Sequence, residues 1–211
     1  MMRQRRFMRA FILLFTIVFF TACESKITTN TAKTAMADMP EETQYFNFTF
    51  KDDKLQEYNT SSHYETTQCN INYIDKTHID VVEVMVKKDE QKEEPTTSTR
   101  KLLFDTKGKL IKLSTHNLDD PSLSVEYNYN YDKNGFLLSK ISSDKSNDIR
   151  YETNKKGQII KEIYDDNSGF NLFIYENDKV KAINFYDEKN IYLGAMIFTD
   201  PMSLQNLMLM E

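Results

Sequence analysis

The chain has 211 residues, and its 27 basic and 32 acidic groups give a formal net charge of −5. An acidic balance argues against binding nucleic acid, or an anionic membrane surface, through charge. Its two cysteines, Cys23 and Cys69, exclude a framework of several disulfide bonds.

The first residues have the character of an export signal. Four arginines and no acidic residue precede an apolar run of ten residues, from Phe11 to Phe20. A helix that spans the hydrocarbon of a bilayer needs roughly twenty apolar residues, so this run is too short to span. Its charge polarity is that of a signal peptide. We therefore predict a signal peptide over residues 1–22.

The signal ends in Phe20-Thr-Ala-Cys23, which resembles the bacterial lipobox, in which small residues precede a cysteine. The resemblance implies cleavage after Ala22, a diacylglyceryl thioether on Cys23 and acylation of the new amine. Two or three acyl chains anchor durably, because each buried CH₂ contributes about 0.8 kcal/mol. Glu24 implies an outer-membrane address, or the cell membrane in a host with one membrane. The alternatives are an uncleaved anchor and a plain secretory signal.

Two regions follow the signal. Residues 23–44 are rich in Ser, Thr, Ala and Lys, include Pro40 and lack a hydrophobic period, which predicts a lipidated cysteine followed by a flexible tether. Residues 45–211 have the length of one domain with its own core. Cys69 then has no partner for an intrachain disulfide, and we predict that it is a buried small hydrophobic residue.

A unit of strand, tight turn and strand recurs in the middle of the domain, at residues 102–111, 129–138 and 151–160. In each copy an Asp or Asn precedes a Gly by three residues. The pairs are Asp105 with Gly108, Asp132 with Gly135, and Asn154 with Gly157. The acidic or amide side chain can bond its own backbone two residues on, and Gly accepts a positive φ. A type I turn followed by a left-handed Gly makes a three-residue hairpin loop with a bulge.

Weaker copies without the glycine flank these three, at 48–55, 71–76, 174–180 and 185–191. The segment Tyr131-Asp132-x-x-Gly135 resembles the YD repeat of Rhs-type proteins and the loosely related hairpin repeats of small envelope lipoproteins, over roughly residues 100–190. After the glycine the family's Arg or Asn is replaced by Lys109, Phe136 or Gln158. Large Rhs proteins wind such repeats into a shell. So few units are not expected to enclose anything, so only the local hairpin is carried over.

The sequence therefore predicts an all-β domain, an antiparallel meander of repeated β-hairpins whose sheet is either open or curled. Asp200 and Pro201 predict the start of a short C-terminal helix that continues to Met210 and covers an open end of the sheet. Gly169 is placed in an ordinary loop.

Nothing in the sequence predicts an enzyme, a metal site or a cofactor. The chain has no metal-binding His-Glu-x-x-His, no Cys-x-x-Cys, no nucleophile elbow and no phosphate-binding glycine loop. His63, His78 and His116 are scattered, without a carboxylate at metal-ligand spacing, and are predicted to be surface or half-buried residues. The aspartates fit turns better than they fit a calcium loop.

One strand has a pattern that could bind a ligand. Strict alternation puts Tyr127, Tyr129 and Tyr131 on one face. They are either a core face packed on the neighbouring strand or an aromatic platform for a sugar or peptide. The functional hypothesis is a non-catalytic envelope binding module for a protein or glycan. The alternatives are a structural or assembly accessory lipoprotein of an outer-membrane complex, and an enzyme of unrecognised type.

Overall fold

The computed structural model of the protein describes residues 25–39, 42–88, 95–145 and 148–210. Within these ranges the chain is all-β, as predicted, with fourteen antiparallel strands and one short α-helix near the C-terminus. In chain order the strands are β1 (Ile27–Met36), β2 (Gln44–Lys51), β3 (Lys54–Ser61), β4 (Glu65–Tyr73), β5 (His78–Lys87), β6 (Thr96–Phe104), β7 (Leu110–Asn117), β8 (Val125–Tyr131), β9 (Leu137–Ser142), β10 (Ile149–Thr153), β11 (Ile159–Tyr164), β12 (Gly169–Glu176), β13 (Lys179–Asp187) and β14 (Tyr192–Met202). The helix α1 spans Leu204–Met208. The predicted signal peptide, residues 1–22, and the predicted lipidation site, Cys23, lie outside the described residues.

The sheet closes into a barrel. Each strand pairs with its neighbours in sequence, and β1 also pairs with β14. This last pairing is antiparallel and runs from Ala32 opposite Phe198 to Met36 opposite Gly194. The prediction of an open or curled sheet is therefore wrong, as is the expectation that so few hairpins enclose nothing. Closure gives both terminal strands a partner, and an unpaired sheet edge is the feature that proteins avoid.

Strand β1 lies within residues 23–44, the predicted flexible tether. That prediction is wrong for Ile27–Met36, which pairs with β2 along most of its length as well as with β14. Its threonines suit an extended backbone. The inward-facing Asn30 and Ala32 are buried. Because Asn30 is polar and Ala32 is small, the inward positions of β1 do not produce a hydrophobic period in the sequence.

The three glycine turns have the predicted geometry. The φ angle is +79° at Gly108, +85° at Gly135 and +80° at Gly157. In the first turn the amide of Gly108 donates to the carbonyl of Asp105 at 3.0 Å, and the amide of Asp105 donates to the carbonyl of Lys109 at 2.8 Å. The Asp105 carboxylate accepts from the amide two residues on, at 2.8 Å. These bonds define a type I turn with a left-handed Gly and a bulge.

Asn and Asp take the place of glycine in the flanking turns. The residues with φ between +51° and +64° there are Asp52, Asp53, Asn177, Asp178 and Asn190. Asn and Asp are the non-glycine residues that tolerate this region best. The copy at 185–191 therefore keeps the same turn with Asn190 in place of glycine. The turns at 52–53 and 177–178 are two-residue loops in which both residues have a positive φ, the type I′ geometry.

The residue after a turn glycine packs on the glycine of the next hairpin. A Cβ atom built on Gly135 would lie 2.1 Å from Nζ of Lys109, and one built on Gly157 would lie 2.6 Å from the ring of Phe136. Nothing lies within 4 Å of a Cβ built on Gly108. Gly108 is thus needed for its φ angle alone, whereas the later two glycines also allow close approach of a neighbour.

Three tyrosines, each placed shortly before a turn, bond their own hairpin to the hairpin before it. In each case the hydroxyl donates to the carbonyl of the first apolar residue after the preceding turn. The pairs are Tyr73 with Leu55 at 2.7 Å, Tyr131 with Leu110 at 2.7 Å, and Tyr175 with Ile159 at 2.8 Å. Burial raises the pKa of Tyr73 and of Tyr175 to about 12, so both remain protonated donors at neutral pH.

The C-terminal helix begins later than predicted. Asp200 and Pro201 lie in β14, where the side chain of Asn30 donates to the carbonyl of Asp200 at 2.7 Å and accepts from its amide at 3.0 Å. This paired amide keeps the backbone extended. The N-cap is instead Ser203, whose hydroxyl accepts from the amide of Asn206 at 3.2 Å. Among the described residues, no helix has the length and apolar character needed to cross a membrane.

The two ends of the barrel differ. At one, the tight-turn end, lie short turns that include 52–53, 105–109 and 177–178, and at the other, the loop end, lie connections that include 118–124 and 165–168. Helix α1 follows β14 at the tight-turn end, where Asn206 donates to the carbonyl of Asp53 at 3.2 Å. The next residues enter the core, since Leu209 is only 2 % exposed. The helix therefore closes one end of the barrel.

Gly169 is not in an ordinary loop, and that prediction is wrong. It begins β12 opposite Asp187. A Cβ atom built there would lie 2.0 Å from the carbonyl oxygen of Tyr186, a backbone atom that cannot swing away.

We expect alanine to be tolerated best at Gly108, less well at Gly157 and least at Gly169. At Gly108 the cost is that of a left-handed residue, about 1–2 kcal/mol. At Gly169 the clash adds about 1–3 kcal/mol, the range for overpacked sites. Urea unfolding of the three variants measures the order. Equal losses at Gly108 and Gly169 would contradict the close approach of β12 and β13.

Replacing Tyr131 by phenylalanine tests the bonds between hairpins. The change leaves the buried carbonyl of Leu110 without its donor, so we expect a loss of about 1–3 kcal/mol in the free energy of unfolding. The control is Tyr45→Phe, on an exposed ring, which should change stability by less than about 0.5 kcal/mol. Indistinguishable losses would mean that the hydroxyl of Tyr131 contributes nothing to the repeat.

Candidate functional site in the barrel lumen

A barrel of fourteen strands encloses more space than its own inward side chains fill, because about eight strands already make an interior just wide enough for them. Core residues and α1 occupy the tight-turn end. Farther along the lumen the described residues form two neighbouring cavities, both lined by inward-facing side chains. They adjoin, because Phe46 and Met210 line both.

The larger cavity, the apolar chamber, has a volume of about 440 Å³. Its apolar lining comes mainly from β10 to β14 and from the C-terminal helix. It includes Phe46, Ile149, Ile159, Phe173, Ile183, Met196, Leu204, Leu207 and Met208. Pockets that hold small molecules are mostly apolar, have volumes of about 300–1,000 Å³ and carry a few polar groups. The apolar chamber matches that description.

The polar margin of the apolar chamber carries one cation and one carboxylate. Lys140 is buried, and its Nζ lies 4.5 Å from the ring centroid of Tyr127 and 5.9 Å from that of Tyr129. These distances are those of cation–π contacts. The carboxylate is that of Glu162 on β11, which accepts from the side-chain amide of Asn171 at 2.9 Å.

The smaller cavity, the polar chamber, has a volume of about 320 Å³ and lies against β2 to β6. Its lining, besides the two shared residues, is Gln44, Tyr58, Thr60, Glu65, Thr67, Cys69, Glu83, Met85 and Arg100. Three of these, Gln44, Glu65 and Met85, face inward beside the loop end but are only half-buried. The polar chamber therefore opens toward the loop end.

Arg100 is the most deeply buried charged residue of the described chain, at 4 % exposure. Its Nη2 donates to the hydroxyl of Tyr58 at 2.6 Å and lies 3.7 Å from the carboxylate of Glu83. Its Nε is buried and has no hydrogen-bond partner in the described part of the protein. Burial raises the pKa of Tyr58 well above its ordinary value, so Tyr58 is a neutral phenol.

Cys69 lies beside this arginine and is fully buried, which confirms the prediction of a small buried residue. Burial raises the pKa of its thiol to about 11. A protonated thiol is a weak nucleophile and a poor metal ligand. Cys69 is therefore part of the chamber wall.

The three tyrosines of β8 share one face, as predicted, and that face points into the barrel. Tyr129 is 5 % exposed, the ring of Tyr127 lies beneath Lys140, and the hydroxyl of Tyr131 bonds the carbonyl of Leu110. Because the sheet closes, these rings are wall residues, and an exposed aromatic platform for a sugar or peptide is not what they form.

Two buried cations that line the chambers, Arg100 and Lys140, were not predicted from the sequence. A lysine or arginine on a strand normally points to water. Arg100 has the same parity as the buried Leu102 and Phe104, a signal that was available. Lys140 gives a weaker signal, because its strand pairs with β8 across a bulge that shifts the alternation.

The histidines form no metal site. His78 does have a carboxylate neighbour, contrary to expectation, since its Nδ1 lies 3.0 Å from Asp75 Oδ2. Both side chains are exposed, and hydrogen bonds from Thr77 and His78 hold the pKa of Asp75 well below its usual range. The described residues contain no group of three His, Cys, Asp or Glu side chains placed to hold a metal ion.

No protein family matches the chain. No curated protein matches it either. The case for function therefore depends on the lumen and on the sequence before it.

Proposed function

We propose that the protein is an exported, lipid-anchored envelope lipoprotein that binds a small apolar or amphipathic molecule inside its barrel and catalyses no reaction on it. The observation that carries the proposal is the apolar chamber, a lined cavity of about 440 Å³ inside the barrel. Empty apolar space is destabilising because the lining side chains lose contacts. A ligand that fills the chamber would restore them.

The lining also supports binding rather than catalysis. Its polar groups are few, and Lys140 and Glu162 lie at its margin. In the wall of the adjoining polar chamber the buried thiol of Cys69 is held protonated, and a protonated thiol is a weak nucleophile. Such a site can bury and hold a molecule through its apolar body.

The lipid anchor is supported by the lipobox-like end of the signal at Cys23. Only three residues separate Cys23 from β1 at Ile27, and three extended residues reach about 10 Å. Strand β1 begins at the tight-turn end, where the amide of Lys26 donates to the carboxylate of Asp52 at 3.0 Å. Acylation of Cys23 would therefore hold the tight-turn end at the membrane and turn the mouth of the lumen away from it.

A second candidate, an assembly accessory of an outer-membrane complex, is favoured by the outer wall of β12 to β14. Ile174, Tyr192 and Ile197 are exposed there, and Phe170 stacks on Tyr186 with ring centroids 5.0 Å apart. Contiguous exposed apolar residues often mark protein contacts. The partner would be an envelope protein or a glycan, and the lumen would then be structural.

Filling the apolar chamber separates the two candidates. Ile159 lines the chamber and Ile160, the next residue of β11, faces outward. We expect Ile159→Trp to weaken saturable binding of Nile red or hexadecan-1-ol at least about tenfold, because the indole occupies the volume that the ligand needs. Ile160→Trp is the matched control and should leave the affinity within about twofold. Fluorescence titration measures both.

Should Ile159→Trp fail to unfold cooperatively, Ile183→Trp fills the same chamber from β13. The absence of saturable binding by the unmodified protein, or equal binding by the inward and outward variants, would reject the lumen as the binding site. The outer wall of β12 to β14 would then be the better candidate.

The anchor has its own test. We expect Cys23→Ser to abolish acylation and to leave an unprocessed precursor, because the thioether is formed on the cysteine sulfur. Mass spectrometry of the protein extracted from membranes measures the N-terminal residue and its acyl chains. A mature protein that begins elsewhere and carries no acyl chain would refute the lipoprotein assignment and leave the lumen proposal standing.

A further inference from the structure

The starting point is the buried guanidinium of Arg100. A charge taken out of water is costly unless it is paired and fully hydrogen-bonded. Arg100 has one short bond, to the hydroxyl of Tyr58, and one carboxylate at 3.7 Å, while its Nε has no hydrogen-bond partner in the described protein. The side chain is 96 % buried and lines the polar chamber, so a guanidinium with few partners forms part of the wall of that cavity.

The polar chamber adjoins the apolar one. Phe46 and Met210 line both cavities, so a molecule that passes these two side chains would have one end at Arg100 and the other among Ile149, Ile159 and Ile183. An arrangement of one buried cation and a separate apolar cavity fits a molecule with one anionic end and a hydrocarbon body. A wholly apolar ligand would leave the polar chamber unused.

We infer that the ligand of the lumen is a long-chain monocarboxylate, its carboxylate on Arg100 in the polar chamber and its hydrocarbon chain in the apolar chamber. This inference rests on the proposed function and names the class of ligand. A planar guanidinium and a carboxylate match in shape and form charge-assisted hydrogen bonds. The guanidinium N–H groups that border the polar chamber would donate to the carboxylate oxygens.

The charges around Arg100 favour a carboxylate over a phosphate. Glu65 and Glu83 also line the polar chamber, and among the described lining residues Arg100 is its one cation. The two glutamates repel the nearly two negative charges of a phosphate monoester at neutral pH more strongly than the single charge of a carboxylate. Lys140 is the alternative position for the head group. It lies at the margin of the apolar chamber, so a ligand whose carboxylate lay there would leave the polar chamber unused.

The experiment compares hexadecanoate with hexadecan-1-ol, which have the same chain length and differ in the head group. Each ligand displaces Nile red from the full acylated protein in detergent-free nanodiscs. We expect the unmodified protein to bind the acid at least tenfold more tightly than the alcohol. Arg100→Gln should weaken the acid by about 10- to 100-fold, the range for a hydrogen bond to a charged group, and leave the alcohol within about twofold.

Two further variants keep the result interpretable. Arg100→Lys keeps the charge and should retain part of the preference for the acid, which a merely structural arginine would not predict. Arg150→Gln removes an exposed cation on the outer face of β10 and should leave both affinities within about twofold. The unchanged affinity for the alcohol reports that the Arg100→Gln barrel is intact.

The possible results distinguish a failure of this inference from a failure of the proposed function. Equal affinity of the unmodified protein for acid and alcohol would overturn the carboxylate site and leave lumen binding standing. So would equal losses for both ligands in Arg100→Gln, or a larger loss for the acid in Lys140→Gln. If neither ligand displaces Nile red, the proposed function and this inference fall together.

Discussion

The pairing of β1 with β14 is the interaction on which the rest of the structure depends. The two strands pair in antiparallel register from Ala32 to Met36. Beyond that register, the side chain of Asn30 takes the place of a backbone partner, since it donates to the carbonyl of Asp200 and accepts from its amide. Gly194 permits the contact, because a Cβ there would lie 2.3 Å from the carbonyl of Ala35. Without this pairing the sheet has two open edges and no lumen. Closure therefore creates both the fold and the space in which a ligand can be bound.

The number of strands sets how much space closure creates. Fourteen strands lie between the eight that side chains can fill and the sixteen or more that leave an aqueous channel. The protein fills the difference in part with Phe48, Phe198 and the C-terminal Leu209, and two chambers remain. The buried cations Arg100 and Lys140 line these chambers, where hydrocarbon does not surround them on every side. Unfilled volume and unusual charge thus coincide, which is the usual mark of a binding site.

The hairpins are coupled to one another by a few repeated contacts. Tyr131 bonds the carbonyl that follows the previous turn, and Lys109 lies with its Nζ 5.0 Å from the ring centroid of Tyr131. Tyr73 and Lys54 make the same pair of contacts two hairpin turns earlier, with the Nζ of Lys54 5.4 Å from the ring centroid of Tyr73. The tyrosine of the repeat is therefore explained by bonding between neighbouring hairpins. That contact joins neighbouring hairpins and is therefore local along the barrel, unlike the pairing of β1 with β14.

The sequence by itself determined whatever depends on neighbours along the chain. The turns at Gly108, Gly135 and Gly157, their Asp and Asn partners, the antiparallel order and the shared face of the β8 tyrosines all follow from φ preferences and a period of two. Tertiary structure decided the rest. The sequence of residues 27–36 predicts a tether, because its inward positions hold Asn30 and Ala32 and show no hydrophobic period. These residues form a strand because they pair with β14, which is distant in sequence. Gly169 and Arg100 likewise owe their roles to atoms distant in sequence, a facing carbonyl on β13 and a phenol on β3. Closure is a contact between strands some 160 residues apart, and no local preference encodes such a contact.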